Sequence, residues 1–105
     1  MSCRAEAEAL RDKIDDLAQR SASVESWKLL DAQLFHALVE GQFEINALQG
    51  EMIALVKTSK PNWCWFQTHQ SLRELREVLD DLRVLRMCVQ SRIYELEAGA
   101  SQAAL

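Results

Sequence analysis

The apolar positions of this chain recur in alternating steps of four and three, which is the spacing of one face of an α-helix. In a first segment, A, from about Cys3 to Ser21, they fall at Cys3, Ala7, Leu10, Ile14, Leu17 and Ser21. The other side of that segment carries Arg4, Glu8, Arg11, Asp12, Asp15 and Asp16. A second segment, B, from about Val24 to Thr58, repeats the pattern at Trp27, Asp31, Leu34, Leu38, Gly41, Ile45, Leu48, Met52 and Leu55. Phe35, Val39, Ile53 and Val56 are expected to widen its apolar side. A third, C, from about Asn62 to Ala98, has Leu72, Leu75, Leu79, Leu82, Arg86, Val89, Ile93 and Leu96.

The breaks between segments have separate causes. At Ser21-Ala22-Ser23 the stripe slips phase, since Val24 would call for Lys28 and Asp31 while the large apolar residues are Trp27 and Leu30. Serine there suits an N-cap, its hydroxyl accepting from an orphan backbone N–H. A stutter in one continuous helix is the other reading of that slip. At Lys60-Pro61-Asn62 the missing proline N–H and the restriction on Lys60 end helix B. Ser71-Leu72-Arg73-Glu74 has capping-box spacing, but Trp65 and His69 continue the stripe backward toward Asn62. Gly99 is expected to stop helix C, leaving 99–105 as a flexible tail after one helical domain over 1–98.

The pattern therefore predicts an all-α antiparallel three-helix bundle built on a long B–C hairpin. At the rise of an α-helix, B is about 52 Å long, C about 55 Å and A only about 28 Å. A, folded back from Ser21, leaves the far half of the hairpin without a third helix. That half holds Ile45, Leu48, Met52, Ile53, Leu55 and Val56 from B, and Trp65, Phe66, Leu72, Leu75 and Val78 from C. Such a surplus predicts a protein partner or a homodimer. The expected contact surface is Trp63, Trp65, Phe66, Met52, Leu55, Val56 and Leu72. A bend at Gly41 or Gly50, closing a compact monomer, is the competing arrangement. Gly41, on the stripe itself, could instead admit a bulky neighbour.

Two polar residues interrupt the stripes, Asp31 in B and Arg86 in C. In a hairpin where positions adding to about 120 lie side by side, they fall within a turn of each other. They are expected to form an ion pair that fixes register.

Composition narrows the functional classes. The 105 residues carry 16 acidic and 12 basic groups, a net charge of -4, with no basic cluster. Direct nucleic-acid binding is disfavoured. The amino-terminal MSCRAEAEALRDK has no apolar core of a signal peptide, and no apolar run reaches membrane-spanning length, so no membrane association is expected. Three cysteines, Cys3, Cys64 and Cys88, form no CxxC pair, and a reducing cytoplasm is the default setting.

Chemistry is hard to assemble from these residues. His36 and His69 lie about 22 Å apart along the hairpin, and Cys64 and Cys88 are similarly separated. No metal or cofactor is expected. Cys64 sits near a helix start but lacks a histidine placed to activate it. The carboxylates are mostly spaced for surface pairs such as Arg73/Glu77 and Arg76/Asp80.

Two short resemblances bear on function. Ala9 to Leu17, ALRDKIDDL, resembles the opening of helical chorismate mutases, which implies a small helical dimeric enzyme with Arg11 on a substrate carboxylate. The later Arg, Lys and Arg-Glu positions of that family are not matched here. Trp27 to Glu40 is similar to the metal-binding helix of the effector domain in one class of bacterial regulators. There Asp precedes His by four residues; the five between Asp31 and His36 turn them apart. The expected function is non-catalytic: a small interaction protein of adaptor, chaperone-like or regulatory type, working through an apolar helical surface. A chorismate-mutase-like enzyme formed at a dimer seam is the alternative.

Overall fold

The computed structural model describes residues 3–58 and 63–103. They form three helices, α1 (Cys3–Gln19), α2 (Val24–Thr58) and α3 (Trp63–Ala103). The Lys60-Pro61-Asn62 break and the last two residues lie outside the described residues.

The α1–α2 turn is a true break rather than a stutter. Ser21 takes a left-handed φ of 52°. The Ala22 N–H reaches back to the Leu17 carbonyl at 3.1 Å, a Schellman-type closure of α1. Ser23 then caps α2, its Oγ accepting from the Ser26 N–H at 3.4 Å and its carbonyl accepting from the same N–H at 3.1 Å.

α2 and α3 pack along their length, and α1 lies against both. They run antiparallel, since Lys28 meets Glu97 near one end while Gly41 meets Leu79 further along. The core follows the stripes. Leu34, Leu82 and Val89 are 0% exposed, and Leu30, Leu79, Trp27 and Ala37 are nearly as buried. Leu10 and Leu17 bring α1 into the same cluster. Gly41 is on the seam because a Cβ there would overlap Leu79 Cδ2. The glycine admits the leucine and no kink is needed; α2 runs unbroken through Gly41 and Gly50.

Three sequence expectations need correction. Gly99 does not stop α3, which continues to Ala103. Glycine inside a helix costs only about 1 kcal/mol, and the alanines around it are the best helix formers. Ser71, likewise, is an exposed interior residue of α3 and caps nothing. Phe35 and Val39 do not widen the buried side of α2: both are exposed, as are Ile53 and Val56, which belong to the half expected to lack a third helix. They sit roughly a quarter turn or more off the seam, where no third helix reaches them.

The molecule is a rod, 67 Å long, with a radius of gyration of 18.5 Å. A compact domain of this length has about 13 Å. The 17 residues of α1 lie alongside Glu77 and Val78 of α3 and cover one half of the hairpin, and Arg4 near the start of α1 shares a further cleft with Phe66, Arg73 and Glu74.

Candidate interaction surface

The hairpin is a two-helix ribbon with two broad faces. One carries α1. Lys13 Nζ donates to Gln33 Oε1 at 3.2 Å, and Ala7 and Arg11 line a cleft with Glu77, Val78 and Asp81. The other face shows a groove lined by Gln42, Ile45, Gln49, Arg76, Leu79 and Arg83, with no residue of α1. Helical spacing agrees: Gln42 is nine residues, two and a half turns, from Gln33. We call these the α1 face and the back face.

The aromatic end divides by burial. Trp63 is 72% exposed and Phe66 56%. Trp65 is half-buried, with its ring edge-on to Phe66 at 5.2 Å and stacked on His69 at 5.3 Å. Val56 is exposed, while Met52 and Leu55 are half-buried. Leu72 must be withdrawn from the expected contact surface. It is 5% exposed, held in the α2–α3 core with Ile45, Leu75 and Val78. α1 is not their only possible cover: the two long helices supply their own. Ile45, Leu72 and Leu75 point into the seam, where the two long helices bury each other, and Val78 also lines the cleft with α1.

Sequence reasoning missed a second group of exposed apolar residues. Phe35, Met87 and Tyr94 are exposed, the last at 75%. Phe35 lies seven residues from Gln42, and Tyr94 eighteen, five turns, from Arg76, so both belong to the back face. The signal in the sequence is a second stripe offset from the main one, of which only Phe35 stands out, beside the apolar stripe of segment B.

The two stripe-breaking charges meet across the seam. Arg86 Nε donates to Asp31 Oδ1 at 3.0 Å, with the side chains 29% and 24% exposed. The same guanidinium lies 4.9 Å from the centre of the Phe35 ring, a cation–π contact. Lys28 Nζ and Glu97 Oε1 close the open end of the hairpin at 2.8 Å.

No protein-family model, curated protein or solved structure matches this chain. Its surface must be read from chemistry alone. Among the described residues, no three His, Cys, Asp or Glu side chains gather where a metal ion could sit. His36 is engaged with Glu40 at 2.9 Å on the surface. Cys64 and Cys88 are free, exposed thiols. Arg11 shares a cleft of about 300 Å³ with Arg4, but Glu8, Glu77 and Asp81 line it too. Three carboxylates against two guanidiniums give no hold on a dicarboxylate substrate. No described helix is long and apolar enough to cross a membrane.

Proposed function

We propose that this chain is a small, non-catalytic helical interaction protein whose three-helix bundle is completed by a second copy of itself. The observation that carries the reading is the mismatch between core and surface. A rod with an 18.5 Å radius of gyration holds its core on one seam. Phe35, Ile53, Val56, Trp63, Phe66, Met87 and Tyr94 are left in solvent. Scattered apolar residues are ordinary, but several large ones exposed on a two-helix ribbon mark an interface. An adaptor, chaperone-like or regulatory role follows from a surface that works by packing rather than by bond chemistry. Two exposed free thiols suit a reducing compartment, and we place the protein in the cytoplasm on that ground.

Sedimentation velocity across micromolar to millimolar concentration tests the reading. A concentration-dependent shift from monomer to dimer is expected. A single monomeric species throughout rejects it.

A further inference from the structure

Self-association leaves open which face meets the second copy, and charge separates the two. Beyond the reach of α1, the α1 face is acidic. Glu51 lies eighteen residues from Gln33 and Glu44 eleven, which puts both on that side, and both are exposed; Glu74 of α3 is on the same side but shares a cleft with Arg4 and Arg73. A two-fold axis would set this acidic strip against its own copy, and like charges brought together disfavour the contact.

On the back face most charges are already answered. Asp31 is held by Arg86, Asp80 by Arg83 and Glu97 by Lys28. Along α2 this face runs Phe35, Gln42, Gln49, Val56, one residue every seven. Seven residues return to the same side of a helix within about 20°. The series also reads alike in both directions: apolar, amide, amide, apolar. A helix carrying it can lie antiparallel on an identical helix. Phe35 then meets Val56 at both ends, and Gln42 meets Gln49 twice between them. Paired amides between apolar contacts are a known means of setting helix register.

Resting on the self-association reading above, we propose that two copies join through their back faces. α2 packs antiparallel on the α2 of the second copy, and the two-fold axis crosses near Ile45 and Asn46. The result is a four-helix layer, with one α1 on each outer side. Phe35 and Val56, at the two ends of the groove, are covered together, and the acidic strips face water; Trp63 and Phe66, in line with Asp81 and Glu77, stay on the outer side.

The test is covalent trapping in a chain carrying Cys3→Ser, Cys64→Ser and Cys88→Ser. Gln42→Cys and Gln49→Cys are introduced together and mildly oxidised. Within one helix the two thiols are about 10 Å apart along the axis, beyond disulfide reach. A disulfide-linked dimer is expected, with peptide mapping joining position 42 of one copy to position 49 of the other. Either single variant should give less than about a tenth of that product, because like positions sit about 10 Å out of register. Two charge variants supply an independent arm, read by sedimentation equilibrium. Val56→Asp should weaken the dimer at least about tenfold, because it sets a charge against the Phe35 of the second copy at both ends of the contact, and Glu51→Lys should change it less than about threefold. A dimer that shows no 42–49 link, or that Glu51→Lys weakens more than Val56→Asp does, overturns the back-face arrangement while self-association stands. A chain that stays monomeric overturns both.

Discussion

The half of the hairpin under α1 and the half beyond it are built from the same two helices but are held by different amounts of packing. Near α1, Trp27, Leu30, Leu34, Leu82 and Val89 are closed off on every side. Beyond it, Leu48, Met52 and Leu55 on α2 are only partly covered, because the core there is one seam wide. A helix of 17 residues laid on helices of 35 and 41 cannot do otherwise. The difference teaches that apolar periodicity decides which side of a helix is buried, while helix length decides how completely.

The most severe way to probe that contrast is to remove the same kind of side chain from each half. Leu34→Ala and Leu82→Ala leave cavities in a fully closed core and should each cost about 3–4 kcal/mol. Leu55→Ala, in the half-covered region, should cost about 1 kcal/mol, since part of its surface is already wet. Urea unfolding of the three variants at one protein concentration checks this. Equal costs would mean that a second copy closes the far half as tightly as α1 closes the near one.

Glycine gives a second contrast, with opposite signs. At Gly41 an added methyl would overlap Leu79, and Gly41→Ala should destabilise by about 1–3 kcal/mol through overpacking. At Gly50 nothing lies within 4 Å of an added Cβ. Gly50→Ala should stabilise by about 0.5–1 kcal/mol through helix propensity. Thermal melts of both, with Leu79→Ala added to the first as a rescue, separate the two causes. If Leu79→Ala fails to restore part of the loss at Gly41, the close approach is not its origin.

Much of this architecture is legible in the sequence. Three helices follow from apolar spacing and the turn at Ser21 to Ser23, and the α2–α3 register follows from matching the two long stripes. The contact between Asp31 and Arg86 was legible because each is the one charged residue on an otherwise apolar stripe. Other features were not legible, for physical reasons. Gly99 looks like a stop, but glycine also serves as a weak interior residue, and only the following alanines decide. The clash that makes Gly41 necessary depends on the rotamer of Leu79, which spacing does not encode. Phe35 and Val39 look like part of the buried side in the sequence because a widened stripe and a second, exposed stripe give the same one-dimensional pattern. Only the side on which α1 lies tells them apart.

The seam pair comes next in size. Asp31→Asn leaves the Arg86 guanidinium half-buried without its carboxylate and should cost about 1–2 kcal/mol, less than a fully buried pair because both groups still touch water. A double-mutant cycle with Arg86→Met isolates the coupling, expected near 1 kcal/mol. Phe35→Leu, made separately, reports how much of the effect of Arg86 passes through the ring beneath it. A coupling of zero would make the pair a consequence of the register rather than a contributor to it.

The smallest effect lies at the open end of the hairpin, where α2 and α3 are tied by Lys28 and Glu97. The hydrogen bond from Lys28 to Glu97, together with the carboxylate charge, raises the Lys28 pKa above its ordinary 10.5. A raised folded-state value means that the protonated lysine favours the folded chain. Its contribution is complete below 10.5, the value in the unfolded chain, and disappears as pH climbs through the higher folded value. Both groups are solvent-exposed, so the effect is a small slope rather than a transition. Stability measured by urea from neutral pH upward should fall slightly more steeply above that point in the natural chain than in Lys28→Met. Glu97→Gln should flatten the same slope, and added salt should shrink it. If Lys28→Met and the natural chain run parallel through that range, the tie at this end has no thermodynamic role. The closing of the hairpin there would then rest on apolar packing, with Trp27, Ile93 and Leu96 in the same cluster.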